Sequence, residues 1–283
     1  MLLRRHATRR PRPRPGSLVR RGAPAKRKTV GDNSGSSSWF AEKTDSWYAL
    51  RGMVILFDID GTLIDHDTAE TIAVAAFGGR MGHTDDAVGF LQRWRSAFER
   101  HYNRYLAGEL SIQQQRRERF REMFDPSLSD AAADQLSALY LDEYLAACEL
   151  YSDVKLALAQ LAAYPMGIVS NGERGQQQYK LVRTGIGHYF GPLILSGECG
   201  MAKPARGIFE LACDSMGVSP SQAVYVGDRR DIDAEAARSV GMHGIWLDRI
   251  GASDDRDPRR RIGSLSALPA AITLIEQDSR EYV

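Results

Sequence analysis

Short, strongly apolar runs alternate with longer amphipathic segments through most of the chain. The first run, at residues 54–57, has the length and composition of a buried parallel strand. Four later runs have the same character, at 165–170, 192–196, 223–227 and 243–247. Helical patterns lie between and after them, at 152–163, 173–184, 206–216, 231–240 and 266–277. Strands that alternate with helices predict an α/β fold with a doubly wound parallel sheet.

The interval 67–150 breaks this alternation, because it contains no convincing strand. Its periodicity predicts four helices, near residues 68–78, 84–106, 111–123 and 129–148. An all-helical segment between the first two strands predicts a second unit at 67–150. The core would then be formed by residues 53–66 and 151–283.

The first 52 residues differ from the rest of the chain in charge. They hold 13 Lys and Arg against 3 Asp and Glu, whereas the remainder holds 24 against 33. Prolines and a Gly/Ser-rich stretch interrupt the basic residues, so we expect a disordered extension at 1–52. A secretory signal is excluded, because no apolar segment follows the arginine pairs. The favoured interpretation is a solvated tail without a role. In one version of this interpretation, translation starts at Met53. An organelle transit peptide and a nucleic-acid tail through residues 1–30 stay open.

The overall composition, 43% apolar and 26% charged, is typical of a soluble globular protein. No apolar run approaches the roughly 18 residues that span a bilayer, so no membrane association is expected. Cys148, Cys199 and Cys213 are scattered, which excludes a disulfide framework and favours a reducing, cytoplasmic location. The acidic body excludes a nucleic-acid clamp. The oligomeric state is not readable from the sequence.

Candidate chemistry is concentrated where the first predicted strand ends. Asp58 follows the apolar run directly, and Asp60 comes two residues later, before Gly61. Buried carboxylates are costly unless a cation binds them. Ligands of open α/β sheets bind beyond the carboxyl ends of the strands, so we expect a cation-assisted site at this edge. A calcium loop of the EF-hand type does not fit, because its glycine would come later and Asp67 stands where it needs a glutamate.

Four motifs in the expected order resemble those of the haloacid dehalogenase-like (HAD) hydrolase superfamily, over residues 53–278. They are Asp58-Ile59-Asp60-Gly61-Thr62, Ile168-Val169-Ser170-Asn171-Gly172, Lys203-Pro204, and Gly227-Asp228 with Asp233. Each motif alone is modest evidence, whereas all four in order are strong evidence. The resemblance implies a Rossmann-like core and identifies the helical segment 67–150 as a C1 cap.

The resemblance also implies the roles of the acids. Asp58 would be the nucleophile that forms an aspartyl-phosphate, and Asp60 the general acid and base. Mg²⁺ is the implied cofactor, since it takes hard oxygen ligands from few protein carboxylates. Asp58, the backbone carbonyl of Asp60, and Asp228 would hold it.

The remaining motif residues would bind the substrate phosphate or support those that do. The implied phosphate ligands are Lys203, Ser170 and the backbone N–H groups near Ile59 and Asn171. Asp233 would be a supporting acid that orients Lys203. Asp231 competes with Asp233 for this place, and the spacing of the family motif favours Asp233.

The resemblance implies a phosphatase of small phosphorylated metabolites, from the branch of phosphoglycolate phosphatases, nucleotidases and N-acylneuraminate-9-phosphatases. Asp60 argues against a 2-haloacid dehalogenase, because those enzymes keep no acid at this position. The absence of lysine from 67–150 argues against a phosphonatase. A phosphomutase of the same fold and a non-catalytic binding protein stay open as alternatives.

The cap is expected to set the substrate specificity. The candidates are Arg93, Trp94 and Arg95 on one predicted helix and the run Gln115–Arg121 on the next. In the competing interpretation these arginines form a solvated helix face with Glu118 and Glu122 as partners. Trp94 would then pack between helices, and His66 would be a hinge or surface residue.

Overall fold

The computed structural model describes residues 52–82 and 86–281, and a six-stranded parallel sheet forms its centre. The strands are β1 (Val54–Phe57), β2 (Met166–Ser170), β3 (Phe190–Leu195), β4 (Ala223–Gly227), β5 (His243–Leu247) and β6 (Arg261–Ile262). Their order in the sheet is β3-β2-β1-β4-β5-β6. The predicted fold class is confirmed. The two-residue β6 was missed, because it is too short to carry a pattern.

Helices fill both faces of the sheet and the interval after β1. The α-helices of the described residues are α1 (His66–Arg80), α2 (Ala87–Leu106), α3 (Ile112–Met123), α4 (Asp130–Ala147), α5 (Val154–Gln160), α6 (Arg174–Arg183), α7 (Ser196–Cys199), α8 (Arg206–Met216), α9 (Ala236–Ser239) and α10 (Leu268–Glu281). None of the helices in this part of the chain is both long and apolar enough to cross a bilayer. The predicted extension 1–52, except Gly52, and the start of the predicted helix 84–106 lie outside the described residues.

β1 lies inside the sheet and is buried on both faces, as its unbroken apolar run predicts. Ile55 and Phe57 belong to the larger hydrophobic cluster. Val54 and Leu56, which alternate with them, belong to the smaller cluster on the other face. The strand therefore brings Asp58 to the carboxyl edge between two packed layers.

The segment after β4 differs from the predicted helix 231–240. Arg230–Glu235 form a π-helical turn, and α9 follows it. Gly244 of β5 explains the close packing of this turn, since a Cβ atom there would lie 2.1 Å from the Ala234 carbonyl oxygen. π-helical turns frequently occur at functional sites, and this one carries Asp233.

Helices α1–α4 form the helical insert, and an aromatic cluster holds it together. Phe77 lies at the centre, with ring centroids 6.1 Å from Trp94, 5.8 Å from Phe120 and 6.1 Å from Tyr140. Trp94 is fully buried, as expected for a residue that packs between helices. The boundaries of the insert as a separate domain stay a prediction.

The two ends of the helical insert run side by side where they join the sheet. The Asp65 amide donates to the Glu149 carbonyl at 2.9 Å, and the Tyr151 amide donates to the Leu63 carbonyl at 3.2 Å. Both connections therefore enter beside Asp60, and this position places the insert over the carboxyl end of β1.

Phe77→Ala should lower the free energy of unfolding by about 3–5 kcal/mol, because it removes a fully buried ring from the aromatic cluster. Ile72→Ala on the same helix is the control, since Ile72 is 52% exposed and should cost less than about 1 kcal/mol. Urea unfolding followed by circular dichroism measures both. Equal losses in the two variants would show that the cluster does not stabilise the insert.

Candidate active site

Residues from three neighbouring strands meet at the carboxyl edge of the sheet. Asp58 follows β1, Ser170 ends β2, and Asp228 follows β4. β1 pairs in parallel with both β2 and β4, so the three strand ends lie side by side. Ligands of doubly wound sheets bind at such an edge.

A buried lysine is the centre of the site. Lys203 Nζ lies 2.6 Å from Asp58 Oδ1, 2.7 Å from Asp233 Oδ1 and 2.9 Å from the Tyr225 hydroxyl. Burial alone would lower the pKa of Lys203, but the charges of Asp233 and Asp58 outweigh it and raise this pKa well above its usual value. Lys203 therefore stays charged.

Asp233 and Asp231 occupy different environments. Asp233 is 1% exposed, and both of its oxygens are occupied. Oδ1 faces Lys203 and Tyr225, and Oδ2 accepts from the Arg229 amide at 2.9 Å. Asp231 is exposed. The geometry thus places Asp233, and not Asp231, beside Lys203.

Three carboxylates crowd around the lysine. One oxygen each of Asp58, Asp228 and Asp233 lies within 4.8 Å of the others. Burial, with the charges of Asp233 and Asp60 against the opposing charge of Lys203, raises the pKa of Asp58 to about 7. Burial and the charge of Asp58 raise the pKa of Asp228 well above its usual range.

The acid cluster fits a divalent cation. Asp228 Oδ1 is buried and finds no hydrogen-bond donor among residues 52–82 and 86–281. One lysine cannot neutralise three carboxylates, and carboxylate oxygens are the ligands that Mg²⁺ takes. Gly61 allows this close approach, since it has φ of +84° and a Cβ atom there would lie 2.4 Å from Asp228 Oδ2.

The side chain of Asp60 points to a different set of partners. Its Oδ1 lies 2.6 Å from Lys180 Nζ and accepts from the Tyr144 hydroxyl at 3.0 Å. Its Oδ2 accepts from Gln177 Nε2 at 2.9 Å. Burial would raise the pKa of Asp60, but the charges of Lys180 and His66 and these hydrogen bonds hold it well below its usual value.

Asn171 fixes the segment that carries Lys203. Its side chain accepts from the Lys203 amide at 2.7 Å and donates to the Lys203 carbonyl at 2.9 Å. It also donates to the Tyr102 hydroxyl of α2 at 3.2 Å. The two hydrogen bonds between Asn171 and Lys203 therefore hold the second and third motifs against each other, and Ser170 Oγ accepts from Gln177 Nε2 at 2.9 Å.

A cavity of about 200 Å³ joins the sheet edge to the helical insert. The sequence-predicted residues Asp58, Asp60, Ser170, Asn171, Lys203, Asp228 and Asp233 all line it. Phe98, Tyr102, Gln115, Arg119, Tyr140 and Tyr144 line it from the insert. A small molecule bound at the carboxylates would therefore also contact the insert.

Sequence reasoning missed the partners of these residues. Lys180 and Gln177 were not singled out, although their spacing of three on a helix after Ser170 places them on one face. Tyr225 was read as part of an apolar strand, and its hydroxyl is the only polar signal. His66 was expected at a hinge or the surface, but its Nδ1 lies 2.8 Å from the Tyr144 hydroxyl.

The expectation of a solvated arginine face with Glu118 and Glu122 as partners holds only in part on α3, where Arg117 and Arg121 are partly buried and form ion pairs. Arg121 pairs with Glu118 at 2.7 Å, and Arg117 pairs with Asp134 at 2.6 Å. It is wrong for Arg119, which is 5% exposed and lies over the ring of Trp94. This difference could not be predicted from the sequence of α3, because aromatic residues on α2 and α4 create the buried environment of Arg119.

Known proteins resemble this chain in sequence and in fold. It is 38% identical to the glyceraldehyde 3-phosphate phosphatase of Methanopyrus kandleri over 137 residues. This alignment covers 48% of this chain and 57% of that protein. The chain spans about half the length of the curated relatives it matches.

Two solved structures share the fold. The HAD-hydrolase YfnB from Bacillus subtilis, bound to magnesium, superposes with a TM-score of 0.70 at 19% identity, over 79% of this chain and 100% of that one. A 2-haloacid dehalogenase from Pseudomonas syringae superposes with a TM-score of 0.59 at 27% identity, over 78% and 98%.

A family model settles the assignment. The model of haloacid dehalogenase-like hydrolases matches residues 53–241, which include all four motifs. The match covers more than half of the chain. This protein therefore belongs to the haloacid dehalogenase-like hydrolase family.

Proposed function

We propose that this protein is a Mg²⁺-dependent phosphatase that hydrolyses small phosphorylated metabolites through an aspartyl-phosphate. One observation carries the proposal. Asp58 and Asp60 follow the same central strand and line one cavity, but their side chains have separate cationic partners, Lys203 and Lys180. Two carboxylates in different environments are what a nucleophile and a proton carrier require.

Asp58 is the proposed nucleophile. In the first step its carboxylate oxygen forms a bond to phosphorus while the bond from phosphorus to the ester oxygen breaks. In the second step a water oxygen forms a bond to phosphorus, and the bond to Asp58 breaks. Splitting the displacement replaces one difficult step with two easier ones. Lys203, 2.6 Å from Asp58, is placed to hold a phosphoryl oxygen and to offset its charge.

Asp60 is the proposed proton carrier for both steps. It would give a proton to the leaving alcohol and then take one from the water. The pair with Lys180 holds Asp60 in the ionised form that the second step uses. The first step uses the protonated form, so this ion pair has to weaken while the ester is bound.

The acids around Asp58 are the proposed Mg²⁺ ligands. Asp58 and Asp228 would bind it through their side chains, and Asp60 through its backbone carbonyl. Asp233 is better placed as a support for Lys203, since both of its oxygens are already occupied. When bound, Mg²⁺ would offset the repulsion between these carboxylates and a phosphate dianion. The magnesium-bound structural neighbour supports the choice of ion.

Asp60 also favours a phosphatase over a dehalogenase. A dehalogenase has no leaving alcohol to protonate, so an acid two residues after the nucleophile would serve no step. Here the Asp60 side chain is held by Lys180, Gln177 and Tyr144 and reaches the cavity. The phosphatase named among the sequence relatives supports the same choice.

Asp58→Asn should lower the hydrolysis of p-nitrophenyl phosphate at least about 1,000-fold, because the amide cannot act as the nucleophile. Release of p-nitrophenol with Mg²⁺ measures the rate, and circular dichroism checks the fold. Asp67→Asn is the matched control, since Asp67 is exposed on α1 and should leave the rate unchanged. An active Asp58→Asn protein would refute the covalent mechanism.

The affinity for Mg²⁺ should fall as the pH falls below about 7. The pKa of Asp58 is raised to about 7 and that of Asp228 is also raised, so below this pH protons must leave before the cation binds. One displaced proton lowers the apparent association constant about tenfold per pH unit. Isothermal titration calorimetry at pH 5.5, 6.5 and 7.5 measures it. A constant affinity over this range would contradict the proposed ligands.

Lys180→Met should lower the free energy of unfolding at pH 7 by about 2–4 kcal/mol, because it leaves Asp60 without its cationic partner. In the native protein the lowered pKa of Asp60 contributes stability that is fully present above the pKa of Asp60 in the unfolded chain, and this contribution is lost only as the pH falls below that pKa. In the variant, burial raises this pKa. The difference between the two proteins should therefore shrink from pH 7 to pH 4.

Chemical denaturation at both pH values measures this difference. Asp60→Asn in the Lys180→Met background should recover most of the loss, since no charge is then left unpaired. A gap that stays the same at pH 4 and pH 7 would show that Lys180 does not control the ionisation of Asp60.

A further inference from the structure

Arg119 is a buried cation that has no anionic partner within residues 52–82 and 86–281. Its side chain is 5% exposed, and its Nε finds no acceptor among the described residues. Glu70 is a nearby acid whose charge acts on Arg119, but Glu70 already pairs with Arg95 at 2.7 Å. An unpaired buried guanidinium costs free energy, so a fold that keeps one indicates a partner that binds later.

Aromatic rings hold the guanidinium but do not satisfy its donors. Its central carbon lies 4.5 Å from the ring centroid of Trp94, 5.4 Å from Tyr140 and 5.5 Å from Phe98. Cation–π contacts stabilise the charge at the ring faces. The N–H groups at the edge of the planar group still need acceptors. Burial lowers the pKa of Arg119 to about 10, so the group stays charged at neutral pH.

The orientation of α3 places this group at the catalytic cavity. Arg119, Arg116, Gln115 and Ile112 lie on one helix face, at spacings of three and four, and all line the cavity that holds Asp58. Gln115 is 4% exposed, and its Oε1 has no donor among the described residues. Two unsatisfied polar side chains therefore sit one helical turn apart.

The other arginines of α3 are already paired. Arg116 contacts Glu173, Arg117 contacts Asp130 and Asp134, and Arg121 contacts Glu118. In the described part of the chain, Arg119 is thus the arginine of this helix whose guanidinium is left for a ligand.

We propose that Arg119 and Gln115 bind a carboxylate-bearing part of the substrate, so that the substrate class is phosphorylated carboxylic acids. This inference rests on the proposed phosphatase function. One guanidinium matches the single charge and planar shape of a carboxylate. A second phosphate dianion would need another free cation, and Arg116 is engaged with Glu173. The Gln115 oxygen would accept from a hydroxyl or amino group beside the carboxylate.

Binding of matched phosphonates tests the inference without turnover. The probes are phosphonoacetate, 3-phosphonopropionate and 4-phosphonobutyrate, each compared with the alkylphosphonate in which methyl replaces the carboxylate. Isothermal titration calorimetry with Mg²⁺ measures each pair. At the chain length that fits, the carboxylate should bind about 10- to 100-fold tighter, as expected for charge-assisted hydrogen bonds to a buried group.

Arg119→Met should remove this preference, because methionine keeps apolar contact with the rings but has no donors. Arg117→Met on the same helix is the matched control and should retain the preference, since Arg117 faces Asp130 and Asp134 outside the cavity. Arg119→Lys should retain part of it, because the charge stays while the planar fork is lost.

The two proposals fail in different ways. Equal or undetectable binding of both members at every chain length overturns the carboxylate site, and so does a preference that survives in Arg119→Met. A variant that only melts at a lower temperature while the preference persists assigns Arg119 a purely structural role. Hydrolysis of p-nitrophenyl phosphate by the unmodified protein is measured separately, and its absence would refute the phosphatase function alone.

Discussion

The buried contact of Lys203 with Asp58 and Asp233 is the constraint on which the rest of the site depends. Three charged groups with at most 6% exposure meet at the end of a central strand. Such a cluster is stable only if every charge keeps its partner, since removing one leaves another buried and unpaired. The surrounding structure follows from this requirement. Tyr225 is tolerated inside an apolar strand because its hydroxyl meets Lys203 and the Val169 carbonyl.

The pKa values of Asp58 and Asp60 shift in opposite directions, although only one residue separates them. The cause is the direction in which each side chain points. Asp58 continues the line of β1 into the acid cluster, where burial dominates and raises its pKa to about 7. The side chain of Asp60 points toward α6 and α4, where it contacts Lys180 and Tyr144. Residues two apart in an extended strand point to the same face, so the different directions of Asp58 and Asp60 require the chain to leave the strand conformation after Phe57.

The sequence contained the strands and the residues at their ends, because both depend on local pattern. An unbroken apolar run identifies β1, and Asp58, Asp60, Ser170 and Lys203 stand in recognisable motifs. The partners of Asp60 could not be predicted in the same way, since Lys180 and Tyr144 are distant in the chain and meet Asp60 only through the packing of α4 and α6. The prediction that Arg119 is solvated was wrong for a related reason. The nearby arginines Arg117 and Arg121 form ion pairs with acids, and only the rings of Trp94 and Tyr140 on other helices show that Arg119 is buried away from such partners.

The cavity therefore has unbalanced charge of opposite sign at its two ends. At the sheet edge, the negative charge of three carboxylates exceeds the positive charge of Lys203, so a bound cation would stabilise them. At the helical insert, a guanidinium and an amide oxygen have no partner in the described part of the chain. The helices of the insert are not equally free to change. Tyr144 on α4 contacts Asp60 directly, so a substitution there would disturb the proposed chemistry together with recognition. Gln115 and Arg119 on α3 touch no motif residue by a hydrogen bond, and substitutions on that face would alter which molecule binds while the groups around Asp58 stay in place.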